Sequence, residues 1–553
     1  MKRRRGRTAA AALLAASLLA GCAPVAQNGD TVSLPAVVPA PASIEAGSGA
    51  PFRLTPDTTV TGEADAAATL AAIVEARAGF TPAKGGRESG IDLRIVPGSG
   101  APESYRIAVD EASVVVTGAD AAGLFYGVQT LGQLIARNSA GGGQQEGEDA
   151  EWTVPAVTIE DAPRFAYRGA MLDVARHFHP LETVKGYIDR AASLKLNALH
   201  LHLTDDQGWR IQLDSRPELT ERASGTSVGG DSTEGQGTPG GFFTKAGYRE
   251  IVEYAASRHM IVVPEIDMPG HTHAVGLAYP ELAEEPTISD HMREIIRDYG
   301  GEEPRPGVPY EGMAVGFSSL KTRDEATYDF VADVFGELAA MTPGPYLHFG
   351  GDESLSTTDE DFAVFVARAS EIIADLGKTP VAWHEAGAAA GLADTTIGQY
   401  WGYLTAQEGV SARARAFVDN GGQLILSPAD AIYLDMKYPN GPELGLTWAN
   451  GPTSIERAYT WEPSDIVDGI DDSGILGVEA PLWTETIRTA ADIDTMAFPR
   501  AAAAAEAAWS PATGASDLRT WASFRERVGA LGPLWTSMGI GFHPSDEIPW
   551  VTE

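Results

Sequence analysis

Two adjacent carboxylates, Asp352 and Glu353, close the stretch Tyr346-Leu-His-Phe-Gly-Gly-Asp-Glu353. A carboxylic acid can give a proton to a leaving group, and a carboxylate beside it can steady a developing positive charge. The stretch reads as a short buried strand. Tyr346, Leu347 and Phe349 favour one, and Pro343, Gly344 and Pro345 punctuate its start. Gly350 and Gly351 remove side-chain bulk, so a ligand can approach the backbone there. The acid pair then falls at the carboxyl end of the strand, where α/β folds bind ligands. A bare Asp-Glu pair is usually a solvated turn, so its companions along the chain decide the matter.

Those companions follow other strands. From Arg168 onward, apolar β-type runs alternate with helical patterns, as in a parallel sheet. The runs are 171–174, 197–203, 260–266, 346–350, 380–383, 397–400, 423–426 and 475–479, with helices near 181–194 and 244–257. Eight such units over roughly 350 residues predict a (β/α)8 barrel with inserted loops. A doubly wound sheet is the alternative. Polar or aromatic groups follow nearly every run: Asp173 and Arg176, then Asp205 and Asp206, then Asp267, His271 and His273. Asp352 and Glu353 come next, followed by Trp383-His384-Glu385, Trp401, Tyr433 with Asp435, and Trp483 with Glu485. Trp448 lies further along the seventh insertion. The even spacing places the set on one face of a barrel.

Four tryptophans and a tyrosine suit the apolar face of a sugar ring, and Asp, Glu and Arg suit its hydroxyls. No P-loop, dinucleotide fingerprint or serine nucleophile elbow is present. A metal site is a second reading: His271-x-His273 with Asp267 and His200 or His202 has ligand chemistry if Pro269-Gly270 kinks the chain. His200 and His202 also read as core histidines inside an apolar strand.

At this point the motifs carry a resemblance. His348-Phe-Gly-Gly-Asp-Glu353 resembles the signature of glycoside hydrolase family 20, the β-N-acetylhexosaminidases. So do Met171-Leu-Asp-Val-Ala-Arg-His-Phe178, His200-Leu-His-Leu-Thr-Asp-Asp-Gln-Gly-Trp-Arg210, Asp267-Met-Pro-Gly-His271 and Tyr433-Leu-Asp-Met-Lys-Tyr438. The likeness runs from about Tyr105 to Trp509. It implies exo-acting, retaining removal of terminal β-linked N-acetylglucosamine or N-acetylgalactosamine from chitooligosaccharides or glycans. It also implies substrate-assisted catalysis, in which the 2-acetamido oxygen is the nucleophile. Glu353 is then the acid/base, Asp352 orients the acetamido N–H, and Tyr433 hydrogen-bonds its carbonyl oxygen. His271 lies behind Glu353, held by Asp205 or Asp267. Arg176, Glu485 and Asp435 bind ring hydroxyls. Trp383, Trp401 and Trp483 wall the acetamido pocket, and Trp448 contacts the next sugar. The resemblance implies no metal and no cofactor. A silent sugar-binding protein on the same scaffold is the rival class, but it has no use for a positioned proton donor. A disaccharide-releasing relative would need a roomier pocket.

Composition bounds the rest. The chain has 553 residues, 44% of them hydrophobic and 21% charged, which suits a globular protein with a large core. Its net charge of −36 argues against nucleic acid as a partner, since phosphate contacts need a basic surface. Lys2, Arg3, Arg4, Arg5 and Arg7 precede an apolar run from Ala9 to Ala20, the pattern of a targeting segment. Leu19-Ala-Gly-Cys22 resembles a bacterial lipobox, and Cys22 is the only cysteine, so no disulfide forms within one chain. The expected organisation is a lipoprotein signal peptide over 1–21 and a flexible Ala/Pro-rich tether over 22–50. A non-catalytic α/β domain over 51–163 and the barrel over 164–553 follow. Removal of 1–21 takes away five positive charges and leaves −41. Lipid on Cys22 would place the protein on the outer face of the cell membrane, its only membrane contact.

Overall fold

The computed structural model describes residues 34–85, 90–138, 151–230 and 240–551. Cys22, the targeting segment, the glycine-rich run 141–147 and residues 231–239 lie outside the described residues. Eight parallel strands close into a barrel. They are β1 Tyr167–Asp173, β2 Ala198–His202, β3 Ile261–Glu265, β4 Tyr346–His348, β5 Thr379–Trp383, β6 Ile397–Tyr400, β7 Leu424–Leu426 and β8 Ile475–Ala480. Each of the eight expected runs supplies one strand, and β8 closes on β1 with Gly477 opposite Tyr167. Helices cover the outer face of the sheet, so both faces are buried and the strands read as continuous apolar runs. Amphipathic helices such as Leu181–Ser193 and Lys245–Ala256 form the outer ring.

The barrel interior is layered. Tyr167, Ala198, Val263, Val381, Ile397, Ile425 and Leu476 form an apolar plug. Two residues further along the strands, the side-chain period brings His200, Glu265, Trp383 and Gln399 to the same interior. A polar layer therefore lies between the plug and the open end. Gly169 on β1 has no alternative there, because a Cβ would fall 2.5 Å from Glu479 Oε2.

Ahead of the barrel, a seven-stranded sheet carries the helices Ala64–Ala78 and Ala121–Leu134. Within it a hairpin sets Tyr105–Val109 antiparallel to Ser113–Gly118. One expectation is overturned. Residues 34–50 are not tether: Val37, Val38 and Ala40 are fully buried, and Ser43–Ala46 is an edge strand paired with Val157–Glu160. The reason is long-range bonding. Val38 exchanges two hydrogen bonds with Gln133 (2.8 and 2.7 Å), Arg527 donates to the Val37 carbonyl (2.7 Å), and the Ala40 N–H donates to Glu506 (2.9 Å). The segment is a strap clamped between the first domain and the last barrel helices. Asp161 joins the same boundary, accepting from Tyr105 at 2.6 Å and from Trp509 at 2.9 Å.

Candidate active site

The acid pair leaves β4 through a strained turn. Gly350 and Gly351 have φ of +73° and +98°, and Glu353 itself has +42°, a region that side chains rarely adopt. His271, after β3, has φ +55°. Both residues are held in these conformations by cross-bonding between the two loops: the Met268 N–H donates to the Phe349 carbonyl at 3.1 Å, and the Gly351 N–H donates to Asp267 Oδ1 at 3.2 Å. The role of Gly350 differs from the sequence expectation. A Cβ there would lie 1.7 Å from Asp267 Oδ1, so its bareness admits Asp267 rather than a ligand.

His271 Nε2 lies 3.5 Å from both Asp352 Oδ2 and Glu353 Oε2, and Nδ1 lies 3.2 Å from Asp205 Oδ1. Of the two holders considered, Asp205 is therefore the one bonded to His271. Burial opposes charge on His271, but Asp205, then Asp352 and Asp267, outweigh it and hold the imidazole pKa well above its usual value. Asp267 faces Asp352 instead. Burial, then the Asp352 charge, pushes the Asp267 pKa well up. Asp352 is raised to about 6 by burial, an effect that His271 opposes and Glu353 and Glu265 reinforce.

Arg176 is buried and pairs with Asp205 at 2.9 Å, while its guanidinium stacks 4.9 Å from the Trp483 ring centroid. Asp173 shapes this turn. One oxygen accepts from the N–H groups of Ala175 and Arg176, and the other accepts from the Thr484 N–H and hydroxyl after β8. Arg210 clamps the same loop from below, donating to the carbonyls of Val174, Ala175, Ser224 and Thr226.

The aromatic residues gather opposite. Trp383 and Trp483 are 6.0 Å apart, Tyr433 is 6.2 Å from Trp483, and Trp448 is 5.8 Å from Tyr433 and 6.0 Å from Trp401. Trp383 and Tyr433 are buried, whereas Trp448 is 44% exposed at the rim. Tyr433 stays a phenol, because burial, then the charges of Asp435 and Asp352, drive its pKa well up. Asp435 is buried, with Oδ1 3.4 Å from the Trp483 N–H and Oδ2 without a protein partner. Glu485 is half-buried and electrostatically coupled to Arg176. All thirteen expected site residues other than Cys22 therefore converge on the carboxyl end of the barrel.

Sequence reasoning passed over Glu385. Its Oε2 accepts from Trp401 Nε1 at 2.9 Å, and burial, then Asp352, raises it to about 8. Only its position directly after β5 hinted at this. The metal reading fails on geometry. His273 turns away from His271, its Nε2 lying 2.8 Å from the Val308 carbonyl oxygen. Asp205, Asp267, His202, His271 and Asp352 do present ligand-type atoms close together. In the groups that include Asp205, Arg176 already supplies that carboxylate with a cation. His200 and His202 are core histidines, bonded to Glu479, Glu265 and Asp205.

A barrel whose open end holds a proton donor, a partnered carboxylate and a tryptophan-walled pocket defines a glycoside hydrolase. The model described as glycosyl hydrolase family 20, catalytic domain, matches residues 165–358 and 353–512, and that family's domain 2 matches 34–162. The chain belongs to glycoside hydrolase family 20. It is a β-N-acetylhexosaminidase, a retaining exo-glycosidase acting on terminal β-linked N-acetylhexosamine. A β-N-acetylhexosaminidase of Cellulomonas fimi is 40% identical over 525 residues, covering 93% of this chain and 97% of that one. A solved family 20 β-N-acetylglucosaminidase is 69% identical, with TM-score 0.83 over 94% of this chain and 100% of that one. A Streptomyces plicatus β-hexosaminidase variant in complex with product GlcNAc is 43% identical, with TM-score 0.82 over 94% and 99%.

Proposed function

We propose that the enzyme works by substrate-assisted catalysis. One observation carries this reading: Asp352 and the Tyr433 hydroxyl act on one pocket, an acceptor and a donor between apolar walls. That is the complement of a secondary amide, whose N–H needs an acceptor and whose carbonyl oxygen needs a donor. Asp352 Oδ1 is buried and has no protein partner, so it is available to the acetamido N–H. Tyr433 donates to the acetamido oxygen and turns it toward C1. Glu353 gives its proton to the glycosidic oxygen as the C1–O bond breaks. The acetamido oxygen closes on C1, and Asp352 balances the positive charge of the resulting ring. Water then adds at C1 and returns a proton to Glu353. Two inversions at C1 give net retention. Pre-positioning the internal nucleophile lowers the barrier by removing most of the entropic cost of encounter.

Arg176, Asp435 and Glu485 hold the ring hydroxyls. Trp383, Trp401 and Trp483 enclose the acetamido group, and Trp448 at the rim stacks on the following sugar. The substrates are chitooligosaccharides or glycans ending in β-linked GlcNAc or GalNAc. Matched aryl β-N-acetylglucosaminide, β-N-acetylgalactosaminide and β-glucoside test the reading. The glucoside, which lacks the internal nucleophile, should fall about 10²-fold or more in kcat/KM. Comparable values for glucoside and N-acetylglucosaminide, or a sugar ester trapped on any Asp or Glu, overturn it.

The mature protein begins at Cys22 and is anchored by lipid outside the cytoplasmic membrane. Support comes from the Leu19-Ala-Gly-Cys22 sequence and the basic, then apolar, run before it. Stable anchoring needs more than one acyl chain or a second signal. Cys22→Ala should release the enzyme from membranes or block its processing. Unchanged membrane fractionation of the variant would defeat the anchor.

A further inference from the structure

Beneath the sugar site, the polar layer of the barrel forms one continuous hydrogen-bonded chain. Trp383 Nε1 donates to Glu265 Oε1 at 2.8 Å. His202 Nδ1 lies 2.6 Å from Glu265 Oε2, and its Nε2 lies 2.8 Å from Asp205 Oδ2. Asp205 Oδ1 is bonded to His271, which faces Asp352 and Glu353. The wall of the acetamido pocket and the proton donor are thus joined through four groups, Glu265, His202, Asp205 and His271.

The hydrogen-bond inventory fixes the charge of the middle group. A carboxylate only accepts, so an imidazole whose two nitrogens both face carboxylates must donate from both. His202 is in that position, between Glu265 and Asp205. His200 is bonded to Glu479 through Nδ1 at 2.8 Å, with Nε2 3.1 Å from Glu265, and the two carboxylates outweigh burial to raise its pKa to about 10. His348 differs. Its Nδ1 lies 3.2 Å from Glu265 Oε1 but accepts from the Gly350 N–H at 3.0 Å, and burial lowers its pKa. Within the layer His202 stands between the carboxylates of Glu265 and Asp205, and Arg176 pairs with Asp205. Fully buried charges persist only when paired in this way. Burial opposes the charge of His202, while Glu265, then Asp205, raise its pKa to about 9. The groups facing it are Glu265, Asp205 and, edge-on at 4.8 Å, the ring of Trp483.

We infer that His202 is a permanent imidazolium and a positioning residue: it fixes the Asp205 carboxylate for His271 and so ties the geometry of the proton donor to the pocket wall at Trp383. The inference rests on Glu353 as the proton donor. Without His202, Asp205 keeps Arg176 on Oδ2 and the Asp206 N–H on Oδ1 but loses the ring that fixes the carboxylate plane from the barrel side, and with it the aim of Oδ1 at His271. His271 then no longer holds Glu353 at the glycosidic oxygen. The loss must grow with the leaving group's need for a proton.

Two measurements test this. In the wild-type enzyme, nitrogen NMR of the histidine rings should show His202, identified by its absence in His202→Gln, protonated on both nitrogens from about pH 5 to about pH 8. A neutral tautomer near pH 7 overturns the inference, and this arm needs no variant activity. In kinetics, His202→Gln should lose about tenfold or more in kcat/KM on a chitobiose-type substrate but under about twofold on a dinitrophenyl glycoside. Equal losses on both, or none, overturn it. Glu353→Gln is measured alongside. If that variant lacks the leaving-group dependence, the assignment of Glu353 fails. If it shows the dependence and His202→Gln does not, only the role of His202 fails.

Discussion

Replacing Glu353 with glutamine is expected to cut turnover of chitobiose-type substrates by about 10²–10⁴-fold, the usual worth of a positioned general acid. Glutamine preserves the volume of the side chain but has no proton to give. The glycosidic oxygen of a sugar leaving group must be protonated as it departs, so the first step stalls. Dinitrophenolate leaves without that help, and its glycoside should lose far less in the glycosylation step. Stability should hardly move. Glu353 is 37% exposed, and the charged group it faces, His271, is 3.5 Å away, so a change within about 0.5 kcal/mol is expected. Rate measurements on the two substrates with a thermal melt check this. Near-wild-type turnover of the disaccharide would remove Glu353 from its role.

The second large effect belongs to Asp352. It must carry charge to pair with the cyclised acetamido ring, and burial, opposed by His271 and reinforced by Glu353, places its pKa at about 6. The group is charged above that pH and neutral below it. The acid limb of kcat/KM, which reports the free enzyme, should therefore fall as pH drops through about 6. Asp352→Asn should lose activity at every pH and lose this limb with it. A thiazoline that mimics the cyclised intermediate should inhibit the wild type strongly, because it resembles what the site stabilises most. It should bind Asp352→Asn far more weakly, since the asparagine amide cannot pair with its charge. An unchanged acid limb in the variant, or unchanged thiazoline affinity, would dissociate Asp352 from the acetamido group.

The barrel was readable because its signal is local. Each strand is an apolar run bounded by helix or turn residues, and each carries its functional group just past its end. The strand read over 346–350 stops at His348, because Gly350 adopts a positive φ that ends the ladder. What sequence cannot carry is contact between distant segments. Nothing near Gly350 announces that Asp267, 83 residues earlier, fills the space a side chain would take. The same holds for residues 34–50, whose Ala- and Pro-rich composition reads as tether. Val37 is held by Arg527, 490 residues away. His200 and His202 read correctly as core residues, but their charge follows from Glu265 and Glu479, which only the fold brings together.

The strap over Val37–Ala40 also sets how the enzyme would bear load if Cys22 carries the proposed lipid. Flow or a dragged polymer substrate would pull on its near end. That end is fastened to Gln133 in one domain and to Glu506, Ser510 and Arg527 in the other. Tension is therefore shared across the seam between the two domains and presses them into register. A leash attached to the edge strand Ser43–Ala46 alone would instead unzip the smaller sheet one hydrogen bond at a time.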